Sequence, residues 1–285
     1  MAATWEPGLR TRDRALRRQR RAENFPVALW LLPRGLRADL IAVYNVVRVI
    51  DDLGDAARGD RVALLEEFGR DLATVWAGWR PEHPVLRRLR PVVRAHGLDR
   101  EPFERLVHAN LLDQRVHRYA TYVQLRGYCA LSAEPVGRIV LALLGVDAVG
   151  VGAPTALEYS DRICAALQLI EHWQDVAEDR RAGRVYLPQE DLAAFGVAEA
   201  ELDAAVASPA LRRMMAFQIT RAAELLDSGA PLLGLVRGWA RLAVAGYVAG
   251  GRAALDALRR AHGDVLAGPH RPRRQDLLRH LVLGR

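Results

Sequence analysis

The chain lacks lysine altogether and has few cysteines and few aromatic residues. All 41 of its lysine-or-arginine positions are arginine, and only two of its 285 residues are cysteine. Arginine, alanine and glycine are abundant together, which indicates a GC-rich genome. Cys129 and Cys164 are too few for a disulfide framework or a cysteine metal site, so a reducing cytoplasm is the expected compartment.

Long apolar runs are missing as well. The N-terminus has no apolar segment of the kind that follows the charges of a signal peptide. The most apolar tract, residues 139–146, is too short to cross a bilayer. The sequence therefore predicts a cytoplasmic protein that touches a membrane only peripherally, if it does so at all.

Alternation of apolar and polar residues, the pattern of β-strands, is almost absent. Apolar residues instead recur at spacings of three and four, the period of amphipathic helices. The pattern predicts helices over residues 35–57, 61–78, 101–118, 121–144, 156–181, 208–229, 232–262 and 272–283. Pro135 lies inside the fourth and predicts a break or a kink there. With 51% apolar side chains and no repeat or low-complexity linker, one all-α domain is predicted.

A basic segment precedes this domain. Seven arginines lie between Arg10 and Arg21, and the net charge of the chain is +7. Residues 1–22 are predicted to be a flexible basic segment, and residues 23–285 the folded domain. The segment is either solvated or an anchor to anionic lipid. No nucleic-acid-binding motif is present, so no nucleic acid partner is expected.

Two acidic clusters each place three carboxylates on about one helical turn. Residues three or four apart share a helical face. The clusters are Asp51, Asp52 and Asp55, and Asp175, Glu178 and Asp179. Carboxylates this close repel one another unless a cation neutralises them, and hard oxygen ligands suit Mg²⁺. One such cluster alone fits a solvated surface, but two at the ends of long apolar helices predict a magnesium site.

An arginine accompanies each cluster. Arg48 lies one turn before Asp52, and Arg184 follows Asp179 by five residues. Guanidinium groups pair well with phosphate, so the arginines and Mg²⁺ are expected to bind a diphosphate and draw it off as a leaving group. The carbocation left behind requires an apolar pocket that keeps water away.

These residues belong to longer motifs. Tyr44 and Arg48 precede DDLGD in a Tyr-x-x-x-Arg pattern. Residues 122–137 read Tyr-x-x-Leu-x-x-Tyr-Cys-x-x-Ser-Ala-x-Pro-Val-Gly, and residues 168–188 contain Gln-Leu, Asp-x-x-Glu-Asp and Gly-Arg-x-Tyr-Leu-Pro. In this order the motifs resemble the squalene/phytoene synthase family, from about residue 24 to 273. The resemblance implies a single-domain class I isoprenoid synthase, an all-α helical bundle around a central cavity with both acidic clusters at one mouth.

The resemblance also implies roles for individual residues. Two or three Mg²⁺ ions, bound with a prenyl diphosphate substrate, are expected on the six carboxylates. The expected catalytic residues are Asp51, Asp55, Asp175, Asp179 and Tyr186. The expected substrate-binding residues are Tyr44, Arg48, Gln168, Glu171, His172 and Arg184. Tyr247 either lines the cavity or is a core tyrosine.

Four short stretches are similar to one branch, the bacterial hydroxysqualene synthases of the hopanoid pathway. They are residues 24–27, 31–33, 173–175 and 189–191. That branch converts presqualene diphosphate to hydroxysqualene by ionisation, rearrangement and water capture. No nicotinamide is expected, and the sequence has no Gly-x-Gly-x-x-Gly after a strand.

Two residues depart from the family pattern. Glu171 stands where asparagine is usual, and His172 where an aromatic or aliphatic residue is usual. His172 is either a general base for an acceptor or a polar neighbour of Glu171. Three alternatives stay open: transfer of a short prenyl group to a small aromatic molecule, head-to-head condensation to presqualene diphosphate or phytoene, and a catalytically inactive helical partner protein. Intact carboxylates argue against the last. A monomer or a homodimer is expected.

Overall fold

The computed structural model describes residues 32–146, 153–268 and 270–283. Within these residues there is no β-strand, and the all-α prediction is confirmed. The α-helices are α1 (Arg34–Asp55), α2 (Arg61–Ala77), α3 (Pro84–His96), α4 (Glu101–Asp113), α5 (Tyr122–Ser132), α6 (Glu134–Leu143), α7 (Ala153–Gln174), α8 (Val176–Arg181), α9 (Gln189–Ala194), α10 (Pro209–Gly229), α11 (Leu232–Leu235), α12 (Gly238–Arg260) and α13 (Arg274–Leu283). A 3-10 helix, Glu199–Asp203, lies between α9 and α10.

The described residues group into two compact units. The N-terminal unit contains residues 32–114 and 139–146, and the C-terminal unit contains residues 115–138, 153–268 and 270–283. The predicted basic segment, 1–22, lies outside the described residues. Residues 24–27 and 31, from the stretches that resemble hydroxysqualene synthases, also lie outside the described residues. The predicted division into a basic segment and one catalytic domain stays a prediction.

The N-terminal unit is built around α1. This helix buries Val43, Val46, Ile50 and Leu53, which recur at the three- and four-residue spacing of one helical face. The buried face packs against α2, α3 and α4. The side chain of Asp60 accepts a hydrogen bond from the Ala63 amide and so caps the start of α2. The opposite face of α1 is left to carry polar residues.

The C-terminal unit is built around α7, which packs most extensively against α10 and also against α5 and α12. Its core includes Leu169 and Trp173, both fully buried. Gly137, the last residue of the second family motif, permits close packing, because a Cβ at this position would lie 2.5 Å from Cys164 Sγ. The buried core holds the C-terminal end of α7 in place, and that end carries site residues.

Three predicted helices are each divided in the structure, and two observed helices, α3 and α9, were not predicted. Helix α3 was not predicted, because Pro84 and Pro91 break the apolar pattern; Pro84 occupies the first turn, and Pro91 lies inside the helix. The predicted helix 121–144 divides at Ala133, two residues before Pro135, as the predicted break requires. The predicted helix 156–181 divides at Asp175, whose backbone (φ −105°, ψ 12°) is no longer helical. The predicted helix 232–262 divides between α11 and α12.

Candidate active site

The polar face of α1 carries the first acidic cluster. Tyr44, Arg48, Asp51 and Asp55 lie on the side opposite the buried residues, since they recur at the same helical spacing. An Arg48 guanidinium nitrogen lies 3.0 Å from Asp52 Oδ1, an ion pair one turn apart. The structure therefore places the predicted residues of this motif together on one half-exposed surface.

Helix α4 supports this cluster through a contact that the sequence did not reveal. The Asn110 side chain donates from Nδ2 to Asp51 Oδ1 at 3.3 Å, and Gln114 donates to the Gly54 carbonyl at 3.1 Å. Gly54 allows this approach, because a Cβ there would lie 2.3 Å from Asn110 Oδ1. Asn110 thus helps to orient Asp51, although 59 residues separate them.

The second acidic cluster lies where α7 ends and α8 begins. Asp175 is the residue between the two helices, and the amides of Glu178 and Asp179 donate to its carbonyl oxygen. Burial, followed by the negative charges of Asp179 and Glu178, raises the pKa of the Asp175 carboxyl to about 6, while His172 opposes the rise. The cluster therefore holds more negative charge than its surroundings neutralise.

The neighbouring arginine does not relieve this charge. Arg180 donates instead to Glu199 at 2.6 Å and to Asp203 at 2.7 Å. The crowded carboxylates consequently favour an added cation, which is the electrostatic condition for a metal site.

His172, Gln168 and Tyr186 form the wall beside the second cluster. The imidazole of His172 is buried and stacks on the Tyr186 ring, with centroids 3.8 Å apart and planes 15° apart. Its Nε2 lies 3.3 Å from the Gln168 amide, and its Nδ1 lies 3.8 Å from Asp179 Oδ2. His172 therefore links a substrate-binding candidate, a catalytic candidate and a carboxylate of the cluster.

A small cavity of about 10 Å³ opens at this wall. Its lining includes four predicted site residues, His172, Asp179, Arg184 and Tyr186, together with four apolar residues. This volume admits roughly one water molecule. The structure thus brings the Gly-Arg-x-Tyr motif against the acidic cluster, as the sequence predicted.

The loop that carries Arg184 and Tyr186 is held in place by hydrogen bonds and ion pairs. Arg118 donates to the Gly183 carbonyl and makes two hydrogen bonds of 2.8 Å to Glu199. Glu199 also accepts from Arg180, and the Val185 amide donates to the His117 carbonyl at 2.9 Å. Hydrogen bonding to Arg118 lowers the pKa of Glu199 and keeps the carboxylate charged. These contacts hold the loop in place beside the cavity that Arg184 lines.

Two predicted residues stand apart from this arrangement. Glu171 is exposed whereas the adjacent His172 is buried, so the two side chains occupy different environments. Tyr247 belongs to α12, and burial raises the pKa of its hydroxyl well above the usual value of 10.0, with Cys164 close enough to add to the rise. Their assignment to substrate binding stays a prediction.

The donor set of both clusters suits Mg²⁺. Every predicted ligand is a carboxylate, and Mg²⁺ prefers oxygen. In residues 32–146, 153–268 and 270–283, no three His, Cys, Asp or Glu side chains are gathered as a ready-made metal cage. Mg²⁺ takes one or two carboxylates and fills its remaining positions with water and substrate phosphate. Its binding by these carboxylates stays a prediction.

Comparison with known proteins defines the family to which the chain belongs. The family model for squalene/phytoene synthase matches residues 18–278. The chain belongs to the squalene/phytoene synthase family, as its motifs predicted, and it is an isoprenoid synthase. Enzymes of this family process prenyl diphosphates and are generally metal-dependent.

Individual relatives refine this picture. The chain is 34% identical to hydroxysqualene synthase from Rhodopseudomonas palustris over 74% of this chain and 70% of that protein. It is 31% identical to 15-cis-phytoene synthase from Synechococcus elongatus over 73% of this chain and 70% of that protein. The crystal structure of squalene synthase HpnC from Alicyclobacillus acidocaldarius superposes with a TM-score of 0.78 at 38% identity, over 87% of this chain and 93% of that one.

In the part of the chain that the structure describes, no helix is both long enough and apolar enough to cross a bilayer.

Proposed function

We propose that this enzyme converts presqualene diphosphate to hydroxysqualene. The bond between carbon and the diphosphate oxygen breaks, with its electron pair leaving on the diphosphate. The cyclopropylcarbinyl cation rearranges, water forms a new carbon–oxygen bond, and one proton is released. The observation that carries the proposal is the similarity to hydroxysqualene synthase.

Mg²⁺ is the proposed metal, in two or three ions. Asp51, Asp52 and Asp55 of α1 would hold it in the N-terminal unit, and Asp175, Glu178 and Asp179 in the C-terminal unit. When bound, the metal supplies Lewis acidity that neutralises the charge developing on the leaving diphosphate. The raised pKa of Asp175 supports this assignment, because a divalent cation would offset the cost of burying the carboxylate as well as the repulsion by Asp179 and Glu178.

Each unit has an arginine that is suited to bind and orient diphosphate. Arg48 and Arg184 present guanidinium groups, which match phosphate oxygens in pairs. Arg48 already lies against Asp52, and Arg184 lies in the cavity lining. Glu199 and Arg118 keep the Arg184 loop in position through the hydrogen bonds described above.

Aromatic side chains around Tyr186 would stabilise the carbocation that remains after the diphosphate leaves. Tyr186 lies among Tyr119, Tyr128 and His172, with ring centroids 3.8–5.9 Å from its own. Aromatic faces carry partial negative charge and stabilise a nearby cation without reacting as strong nucleophiles. In this role His172 is a positioning residue, because its stacking fixes the plane of Tyr186.

Transfer of a short prenyl group to an aromatic acceptor is the second candidate. The buried imidazole of His172 favours it, since an imidazole whose Nδ1 lies 3.8 Å from Asp179 can take a proton from a polar acceptor. Head-to-head condensation of two prenyl diphosphates is the third candidate, because the chain is also similar to phytoene synthase.

One incubation separates the three reactions. The enzyme is given Mg²⁺ and, in parallel, presqualene, farnesyl, geranylgeranyl or dimethylallyl diphosphate, the last with a panel of small phenols, and products are read by mass spectrometry. We expect hydroxysqualene and diphosphate from presqualene diphosphate alone. Loss of product in EDTA, and in Asp51→Ala and Asp175→Ala, should accompany this. Conversion only of dimethylallyl diphosphate with a phenol would refute the proposal.

A further inference from the structure

Helices α11 and α12 meet at an exposed apolar surface that the proposed reaction does not use. Leu235, at the end of α11, is 52% exposed, and Trp239, in the first turn of α12, is 44% exposed. Arg241 donates to the Leu233 carbonyl at 3.1 Å, so the two helices are fixed against each other at this point. We call Leu235, Arg237, Trp239 and Arg241 the α11–α12 surface.

The chain segment that forms this surface carries charge of one sign. The sequence has no aspartate or glutamate between Asp227 and Asp256, a stretch that contains three arginines. Arg252 pairs with Asp227 at 2.7 Å. Arg237 and Arg241 are both exposed, and within the described ranges no carboxylate forms an ion pair with either. Two uncompensated positive charges thus flank two exposed apolar side chains.

Other exposed apolar residues lack this combination. Trp79, Val123, Val206 and Phe217 are 74%, 77%, 57% and 40% exposed, but none has a second large exposed apolar side chain within four residues, as Leu235 has in Trp239. On α13, Leu278 and Val282 are exposed together, yet the neighbouring Arg279 is already bound to Asp256. The α11–α12 surface therefore has a character of its own.

We propose that the α11–α12 surface docks the enzyme on an anionic lipid bilayer. Tryptophan prefers the boundary between lipid headgroups and acyl chains, because its ring is apolar and its N–H is polar. Leucine adds apolar area, and arginines beside them are attracted to anionic headgroups. An acid-free segment with these four side chains fits the lipid boundary better than a nucleic acid, to which Leu235 and Trp239 would offer no charge.

Vesicle co-sedimentation tests this proposal on the full chain, without substrate. The vesicles are phosphatidylcholine mixed with phosphatidylglycerol, or phosphatidylcholine alone. We expect binding to the mixed vesicles and weak binding to phosphatidylcholine. The double variant Leu235→Ser/Trp239→Ser should bind the mixed vesicles roughly tenfold or more weakly, since two apolar side chains no longer enter the bilayer. Arg237→Gln should weaken binding about fivefold.

Matched variants separate this surface from general effects. Trp79→Ser removes an exposed tryptophan elsewhere, and Arg213→Gln removes an exposed arginine elsewhere; both should bind as the unchanged protein does. Circular dichroism melting checks that each variant is folded. If the double variant and Arg237→Gln, both folded, bind mixed vesicles unchanged, the proposal is wrong and the arginines at 10–21 become the candidate anchor. If Trp79→Ser or Arg213→Gln weakens binding equally, the attraction is not specific to the α11–α12 surface, which also overturns it.

Discussion

Replacing Asp175 by asparagine should make the metal-free enzyme more stable while abolishing its activity. In the folded protein the pKa of Asp175 rises from 3.8 to about 6. Ionising the carboxylate therefore costs more in the folded than in the unfolded state. The difference corresponds to at most about 3 kcal/mol at neutral pH, and because the side chain is partly exposed, solvent screening reduces it to roughly 1–2 kcal/mol.

The pH dependence has a definite sign. Below pH 3.8 the carboxyl is protonated in both states and contributes nothing. Between about pH 4 and 6 the unfolded chain loses its proton first, so the stability of the unchanged protein falls as the pH rises. Above pH 6 the deficit is complete. Asparagine carries no charge, so Asp175→Asn should escape this loss.

Thermal unfolding in EDTA measures the effect. At pH 8 we expect Asp175→Asn to unfold about 3–6 °C higher than the unchanged protein, with the gap closing toward pH 4. Mg²⁺ with diphosphate should stabilise the unchanged protein more than the variant. Asp203→Asn is the control of opposite sign, because Arg180 lowers the pKa of Asp203. An Asp175→Asn protein that is less stable than the unchanged one at pH 8 would refute the electrostatic argument.

Three further predictions concern the supports of the site. Glu199→Gln should lower kcat/KM about tenfold by loosening the Arg184 loop, with Glu199→Asp intermediate in steady-state kinetics. Gly54→Ala should cost about 1–2 kcal/mol in urea unfolding, because its methyl group displaces the Asn110 side chain, and adding Asn110→Ala should restore most of it. Glu171→Asn with His172→Phe should still form hydroxysqualene by mass spectrometry, since phenylalanine can stack on Tyr186 as the imidazole does; full loss would make His172 a participant in proton transfer.

The local spacing of residues along the chain was sufficient to predict the fold class and to group part of the site residues. The period of three and four residues predicted an all-α protein, and it placed Tyr44, Arg48, Asp51 and Asp55 on one face of α1, because a helix repeats every 3.6 residues. The same spacing grouped Asp175 with Glu178 and Asp179, and the motif order indicated the family. It failed at α3, where two prolines interrupt the apolar pattern, whereas packing against α1 and α2 maintains the helix itself.

Contacts between distant residues were decided by the tertiary structure alone. Asn110 reaches Asp51 across 59 residues, and Arg118 reaches Glu199 across 81, and no periodicity connects residues so far apart. The stacking of His172 on Tyr186 likewise depends on how the loop after α8 folds back. The pKa of Asp175 follows from burial, which a one-dimensional pattern does not contain. Sequence by itself thus determined which groups are available for chemistry, whereas packing decided which of them are oriented, buried and left in need of a cation.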